Sequence, residues 1–384
     1  MSEHARGARG EQAAAALQSA LELARRGLRH AKEGSLGVRR PSAAEAQASP
    51  IVDRAVSWGF GGAIILLLCL APVILPDFEL KVLGIKTMWL GIAAASLIFL
   101  AGYGGMISLA QTAMYGIAGF SMANLGVAEG GSSTAWNPWL AALAGVAIAT
   151  GLGLVFGAIA ARSEGIYFLM LTLAIGVITY YFFGQVEELS GFGGVNVVEA
   201  PGPVGSSFTR PDRLYYTALI CAAAVYLVLR YIVRTPFGLT LQGIRDDPLR
   251  MRSLGYNVAL HRTLAFGFGA LVASVGGILS VWDNAQISPG SVDLIRTINV
   301  LAIAVVGGLH RIEGAWVGAF AFTLVTYLLQ RFVTVERVDT YFGLVFLVII
   351  LVSPGGLMGL WGIFEERVKR TLRAWPRAAE RPAA

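Results

Sequence analysis

Charge is scarce in this chain: of 384 residues only 14% are Asp, Glu, Lys or Arg, while 55% are hydrophobic. With a mean hydropathy of +0.64, so small a polar complement cannot cover a soluble globule, and the chain is predicted to reside in a lipid bilayer. Cysteine is nearly absent. Cys69 and Cys221 lie inside apolar runs, which excludes a disulfide-built secreted fold and gives no basis for redox chemistry. Lysine occurs only at positions 32, 81, 86 and 369, never after glycine, so no P-loop exists to cradle ATP. His4, His30, His261 and His310 have no metal-ligand spacing, and the apolar segments carry no Ser/His/Asp set or carboxylate pair. Catalysis is therefore not expected, nor any metal or cofactor bound by this chain. The net charge of +6 comes from 30 basic against 24 acidic residues placed between the apolar stretches, so it concerns membrane faces and not nucleic acid.

What is present is a succession of apolar segments. Ten are counted, near 60–76, 83–102, 106–127, 138–161, 165–184, 214–233, 262–282, 296–309, 312–332 and 340–360, each close to the ~20 residues that cross a hydrocarbon core. The eighth is short and is separated from the ninth only by His310 to Glu313, so it either spans or re-enters. Basic residues collect at cytoplasmic helix ends. Ten crossings starting inside put Arg162, the Arg234–Arg262 loop, Arg311 and the basic tail on one side, and the acidic 185–213 loop on the other. The expected fold is thus an all-α membrane protein, a polytopic bundle of about ten helices with both termini cytoplasmic. Residues 1–54 form a polar cytoplasmic extension with a helical stretch from Gln12 to Lys32 and a Pro-interrupted tether after it, residues 55–361 the membrane domain, and residues 362–384 a basic tail. A signal peptide is not expected, because the first apolar run begins only near Phe60.

No segment carries an ionisable residue near its predicted middle; Lys86, Asp283, Arg296 and Arg331 fall toward segment ends. Since proton- and ion-coupled transporters usually hold a buried titrating group, self-sufficient secondary transport is disfavoured. Most of the 47 glycines suit close helix packing. The cluster Gly102, Tyr103, Gly104, Gly105, with Ser108, Gln111 and Thr112 after it, is different, because broken backbone must face protein or a water-filled pathway. Gln111 and Asn124 suit either that pathway or a satisfied interhelical hydrogen bond. In the loop between the sixth and seventh segments, Asp246 or Asp247 suits an N-cap, Pro248 the first helical position and Gly255 the left-handed residue after a short helix. Leu249, Met251 and Leu254 offer apolar contact there, with Arg245, Arg250 and Arg252 beside them. Such a helix serves either to dock another protein or only to fix topology.

Taken together, several stretches resemble the permease subunits of bacterial ATP-binding-cassette importers for branched-chain amino acids, across about residues 80 to 360. They are Ala101-Gly-Tyr-Gly-Gly-Met-Ile-Ser-Leu-Ala-Gln-Thr-Ala-Met-Tyr-Gly-Ile-Ala-Gly-Phe120, Glu164-Gly-Ile-Tyr-Phe-Leu-Met-Leu-Thr-Leu-Ala174 and Ile244-Arg-Asp-Asp-Pro-Leu-Arg-Met-Arg-Ser-Leu-Gly-Tyr-Asn-Val258. Ser288-Pro289, Val305-Val-Gly-Gly-Leu309 and Ser353-Pro-Gly-Gly-Leu-Met-Gly-Leu360 follow in order. The resemblance implies a bacterial inner-membrane subunit working with a second permease, two cytoplasmic subunits that hold ATP and Mg, a solute-binding protein outside, and membrane lipid around it. It also implies that Ile244, Arg245, Asp246, Asp247, Pro248, Leu249, Arg250, Arg252 and Leu254 form the coupling helix. Gly104, Gly105, Gln111, Asn124, Tyr167 and Asn299 are the residues expected along the pathway or its packing. The chain departs from the family pattern at Ala110-Gln111 and Asn299, which widens the expected solutes from aliphatic amino acids to urea, short amides and other small polar molecules. Two rival readings are a stand-alone channel or secondary transporter, and a membrane-embedded enzyme using Asp283, Asn284 or Asp293.

Overall fold

A computed structural model describes residues 68–72, 76–126, 136–190, 193–198, 200–205 and 210–332, with parts of 343–359. The expected N-terminal extension, most of the first apolar segment, about half of the last and the basic tail lie outside the described residues. Helix α1 runs Asp77–Tyr103, with π-helical turns at Leu80–Ile85 and Phe99–Tyr103. After irregular backbone come α2 (Gln111–Leu125), α3 (Pro138–Ala160) and α4 (Ile166–Gln185). Strand β1 (Val195–Asn196) precedes α5 (Pro211–Arg234), α6 (Pro236–Asp246), α7 (Pro248–Ser253) and α8 (Val258–Asn284). Strand β2 (Gln286–Ile287), a single turn at Pro289–Ser291, α9 (Leu294–Gly307) and α10 (Gly314–Phe332) complete the order.

Local chemistry sets several of these boundaries. Asn137 accepts from the Trp139 amide at 3.1 Å with Pro138 in the first helical position, which starts α3. Asn257 and Asp293 cap α8 and α9 in the same way, accepting from Leu260 and Leu294 at 3.0 and 2.7 Å. Among the described residues six stretches are long and apolar enough to cross a membrane: α1, α3, α4, α5, α8 and Pro289–Gly307. The chain is thus a helical, multi-pass membrane protein, with six candidate spans among the described residues beside the expected count of about ten. Where the third predicted segment covered 106–127, α2 has 15 residues and rises about 22 Å. Where the second began at 83, α1 begins at Asp77, so Lys86 lies about two and a half turns inside a membrane-length helix.

Helix α8 is the centre of the bundle, packing against α1, α2 and α3, while α10 lies on α1 and α9. In the apolar windows of α1 and α8 78% of residues are buried, against 28% in α3 and 22% in α5, which therefore form the periphery. Small residues allow the central approach. A Cβ on Gly277 of α8 would lie 2.1 Å from the Tyr115 carbonyl oxygen of α2, and one on Gly153 of α3 would lie 2.3 Å from Ala270 Cβ of α8. Buried hydroxyl pairs fix the register: Thr87 with Thr323 at 2.8 Å joins α1 to α10, and Thr112 with Thr297 at 2.6 Å joins α2 to α9.

The helix ends gather at two faces. At one, β1 and β2 pair antiparallel through Val195 with Ile287 and Asn196 with Gln286, joining the 185–213 loop to the turn after α8. At the other, Arg245 at the end of α6 donates to the Gly102 carbonyl at the end of α1, and Arg262 at the start of α8 bonds Glu164 before α4 at 2.8 Å. The packing predicts that Gly277→Ala lowers the stability of the detergent-solubilised chain by about 1–3 kcal/mol, because the α2 backbone cannot retreat cheaply. Gly151→Ala, at a site where an added Cβ meets nothing within 4 Å, is expected to leave stability unchanged or raise it by up to ~1 kcal/mol. Thermal melting of both variants beside the parent checks the contrast.

Candidate functional site

The loop predicted to dock a partner is built as two helices at a sharp turn. Asp246 ends α6 and pairs with Arg245 at 2.9 Å, whereas Asp247 caps α7, its Oδ1 accepting from the Arg250 amide at 3.0 Å. Pro248 opens α7, and Gly255 just beyond it has φ +90°, the left-handed geometry that Gly tolerates. Met251 turns back against Gly243 of α6 and Ile244 is buried. Leu249 and Leu254 instead stand out, 70% and 65% exposed, with Arg250 and Arg252 on the same short helix. An exposed apolar pair flanked by cations is a surface suited to docking rather than to burial in its own chain. Two ties anchor it. Arg245 reaches the Gly102 carbonyl, and its side chain lies against Gly105, whose φ is +67°. Arg252 lies 3.8 Å from Glu164, the same carboxylate that pairs with the buried Arg262.

The six residues expected along a pathway do not converge. Gly104 and Gly105 sit at the α1–α2 junction against Leu241 and Arg245, next to the docking loop. Gln111 opens α2 and is 2% exposed, and neither atom of its side-chain amide has a hydrogen-bond partner among the described residues. Asn124 is buried at the opposite end of α2 and donates to the Phe120 carbonyl at 2.9 Å. Tyr167 is 75% exposed at the start of α4, on the outside of the bundle. Asn299 lines a large cavity.

That cavity, about 470 Å³, opens between α1, α2, α8, α9 and α10 near the face that carries the β1–β2 pair. Lys86 of α1, Asp283 of α8 and Arg296 of α9 all reach it, with Lys81 at the first turns of α1. Asp283 is buried and accepts from Trp89 Nε1 at 3.1 Å. Sequence reading assigned Lys86, Asp283 and Arg296 to segment ends one at a time, and so missed that three helices bring them to one space. Of the rival catalytic candidates, Asp283 and Asn284 line this cavity, while Asp293 is occupied as the α9 cap and lines a separate cavity of about 220 Å³. Among the described residues no group of three or more His, Cys, Asp or Glu side chains stands together to hold a metal ion.

Comparison with known proteins gives a consistent picture. Residues 82–354 match the family described as branched-chain amino acid transport system / permease component. The chain is similar to the high-affinity branched-chain amino acid transport system permease protein LivM of Salmonella typhimurium, 25% identical over 232 residues, 54% of this chain and 53% of that protein. LivM of Escherichia coli strain K12 gives the same identity over the same shares. A probable branched-chain amino acid transport permease protein LivH of Methanocaldococcus jannaschii is 27% identical over 168 residues, 41% of this chain and 50% of that protein. The chain thus spans about half the length of the curated relatives it matches. No solved structure matches it.

Two expectations follow from the local geometry. Asp247→Ala removes the α7 cap, worth about 1 kcal/mol, and should speed amide exchange at Arg250 roughly fivefold, whereas Asp246→Ala should not; hydrogen exchange read by mass spectrometry separates them. Gln111→Leu removes a buried amide without partners and should stabilise the chain by about 1–3 kcal/mol, seen as a higher melting temperature.

Proposed function

Because the chain belongs to the permease-component family of branched-chain amino acid transport systems, we propose that it is one of two membrane subunits of an ATP-binding-cassette importer in the bacterial inner membrane. It takes branched-chain amino acids or related small polar solutes inward. ATP and Mg are held by two partner subunits on the cytoplasmic side, a solute-binding protein delivers from outside, and a second permease of the same kind completes the pathway. The exposed apolar flanks of α3, α4 and α5, with Leu143, Ile159, Ile178 and Ile220 among them, meet lipid or that second permease.

Orientation follows from charge. The face formed by the ends of α1, α5, α6, α7 and α8 carries Arg234, Arg245, Arg250, Arg252 and Arg262, and the positive-inside rule puts it in the cytoplasm. About ten crossings then leave both termini on that side, and the β1–β2 face with its cavity outside.

The observation that carries the reading is the capped helix α7 with Leu249 and Leu254 bare, tied to the pathway break. Closure of an ATPase pair on ATP pushes α7. Through α6 and Arg245 the push reaches the Gly102 carbonyl, where regular helix gives way to the irregular stretch before α2. Two alternative packings of that junction, facing in and facing out, are all the mechanism requires, since ATP only has to bind one assembly state more tightly. A bias of a few kcal/mol shared by two permeases suffices to swing the populations.

A second reading, the stand-alone secondary transporter, gains from the cavity, because Lys86 supplies a charged group well inside a membrane-length helix and Asp283 a buried carboxylate at the end of another. One experiment separates the two. Purification in mild detergent from native membranes should recover a second permease-like chain and P-loop ATPases, with solute uptake in vesicles dependent on ATP. A lone chain that sustains uptake without ATP would favour the transporter. Within the importer, Asp247→Arg combined with Leu254→Asp is expected to abolish solute-stimulated ATP hydrolysis while the subunits still co-purify; unchanged stimulation removes α7 from the coupling role.

A further inference from the structure

We propose that the two cavities are consecutive chambers of one solute path, and that the seam between α2 and α9, closed by the Thr112–Thr297 hydroxyl pair, is the gate between them. The proposal rests on the importer reading in taking the larger cavity as the outer part of the path. It goes beyond that reading by giving the smaller cavity a role and by naming the residues that separate the two.

The two spaces meet across one seam. Thr112 and Tyr115 of α2 line the cavity of about 470 Å³, while Leu109 just before α2 and Val292 and Thr297 around the start of α9 line the cavity of about 220 Å³. Two contacts close the seam. Thr112 and Thr297 are buried, with their hydroxyl oxygens 2.6 Å apart. One turn further along α2, Gly116 makes room for Val292, since a Cβ there would lie 2.0 Å from Val292 Cγ1. The direct route from one cavity to the other crosses these contacts. On either side the packing is separate: α2 lies mainly against α8 and α3, whereas α9 lies mainly against α10 and α1.

Parting this seam strands no polar group. In the closed pair one hydroxyl donates to the other. Thr112 Oγ1 also lies 3.4 Å from the Leu109 carbonyl oxygen, and Thr297 Oγ1 lies 3.2 Å from that of Asp293, so each hydroxyl keeps a backbone acceptor once the pair separates. Opening therefore avoids the penalty of an orphaned buried hydroxyl. The Thr87–Thr323 pair differs, because Thr87 has no second hydrogen bond among the described residues. That pair suits a fixed link, and Thr112 with Thr297 a link that is made and broken. The seam also lies next to the docking loop's path of transmission. Arg245 holds the Gly102 carbonyl at the end of α1, and the irregular stretch that follows leads directly to Thr112 in the first turn of α2. Within that stretch the Leu109 amide donates to Thr172 Oγ1 of α4 at 3.1 Å, which ties it to a wall of the smaller cavity. A shift of this junction parts α2 from α9 and joins the two spaces.

Thiols placed at the two threonines decide this in the co-purified complex, reconstituted in sealed vesicles. Cys69→Ser and Cys221→Ser first leave the added cysteines as the only thiols of this chain. Cd²⁺ bridges two thiolates set as closely as these hydroxyls. In the Thr112→Cys, Thr297→Cys double variant, Cd²⁺ should cut leucine uptake at least about tenfold and EDTA should restore it, while Cd²⁺ should change neither single variant by more than about twofold. Uptake that continues at full rate while Cd²⁺ protects both thiols from alkylation overturns the gate. A second reading needs neither a transported solute nor the double variant. Thr112→Cys alone should react with a small methanethiosulfonate at least about tenfold faster in one nucleotide state, ATP with vanadate or nucleotide-free, than in the other. Gly116→Ala, whose methyl holds Val292 off α2, should bring the slower rate toward the faster one. Equal rates in the two nucleotide states overturn the proposal. The importer reading is judged separately: ATP-driven leucine uptake beside a double variant indifferent to Cd²⁺ sinks the gate and leaves the importer, whereas uptake that needs no ATP yet stops when the bridge forms sinks the importer and leaves the gate.

Discussion

The close backbone approach of α8 to α2 and α3 is the constraint on which the central packing depends. Without a hydrophobic effect between helices in lipid, association relies on backbone proximity and interhelical hydrogen bonds. Gly277 lets α8 reach the Tyr115 carbonyl of α2, and Gly153 lets α3 reach Ala270 of α8. With α8 seated, α1 is enclosed on several sides and its apolar window is as buried as that of α8 itself. The peripheral helices then have no comparable demand. Their outer faces keep Leu, Ile and Tyr side chains exposed, as a lipid-facing surface should.

That central packing also determines where polar groups can be tolerated. Thr87 with Thr323 and Thr112 with Thr297 satisfy one another across helix pairs, so each costs little and fixes a register. Trp89 and Asp283 do the same between α1 and α8. Beside these links a cavity remains between α1, α8, α9 and α10 at one face, and Lys86, Asp283 and Arg296, which line it, are carried on helices. A binding site built on rigid elements keeps its geometry as the opposite face moves.

Legibility in the sequence divides along the range of the interactions involved. Capping is local, so Asp247, Pro248 and Gly255 could be read from their spacing alone, and the structure resolves the choice between Asp246 and Asp247 by giving each a different partner. Long apolar runs are local as well, and six of them appear as membrane-length helices. The beginning of α1 was not legible, because Asp77 and Glu79 lie in its first turns and hydropathy alone trims them away. Nor was the cavity. Residues 86, 283 and 296 share no motif, and only the α1–α8–α9 packing brings them together. Tyr167 illustrates the converse: it belongs to a stretch that resembles the family, yet it stands at the exposed start of α4.

The two functional regions occupy opposite faces, and α1 connects them. Its first turns carry Lys81 and Lys86 on the cavity wall, and its last residues meet Arg245 and the Leu309 turn, where a Cβ on Gly102 would lie 2.1 Å from the Leu309 carbonyl oxygen. Both ends of α1 carry π-helical turns, each with one more residue per hydrogen-bonded ring than an α-helix, so the helix has two places where its winding can change without losing a backbone partner. The middle, Lys86–Ile98, is regular and almost wholly buried. A displacement delivered through Arg245 therefore meets a stiff rod between two adaptable ends, followed by a junction that holds the positive-φ Gly105 and the buried Gln111, whose amide has no hydrogen-bond partner among the described residues. In the importer reading this is where the in-facing and out-facing packings would differ, because a segment with an unmet amide loses least when it is rebuilt and gains most when a solute or the other packing supplies the missing partners.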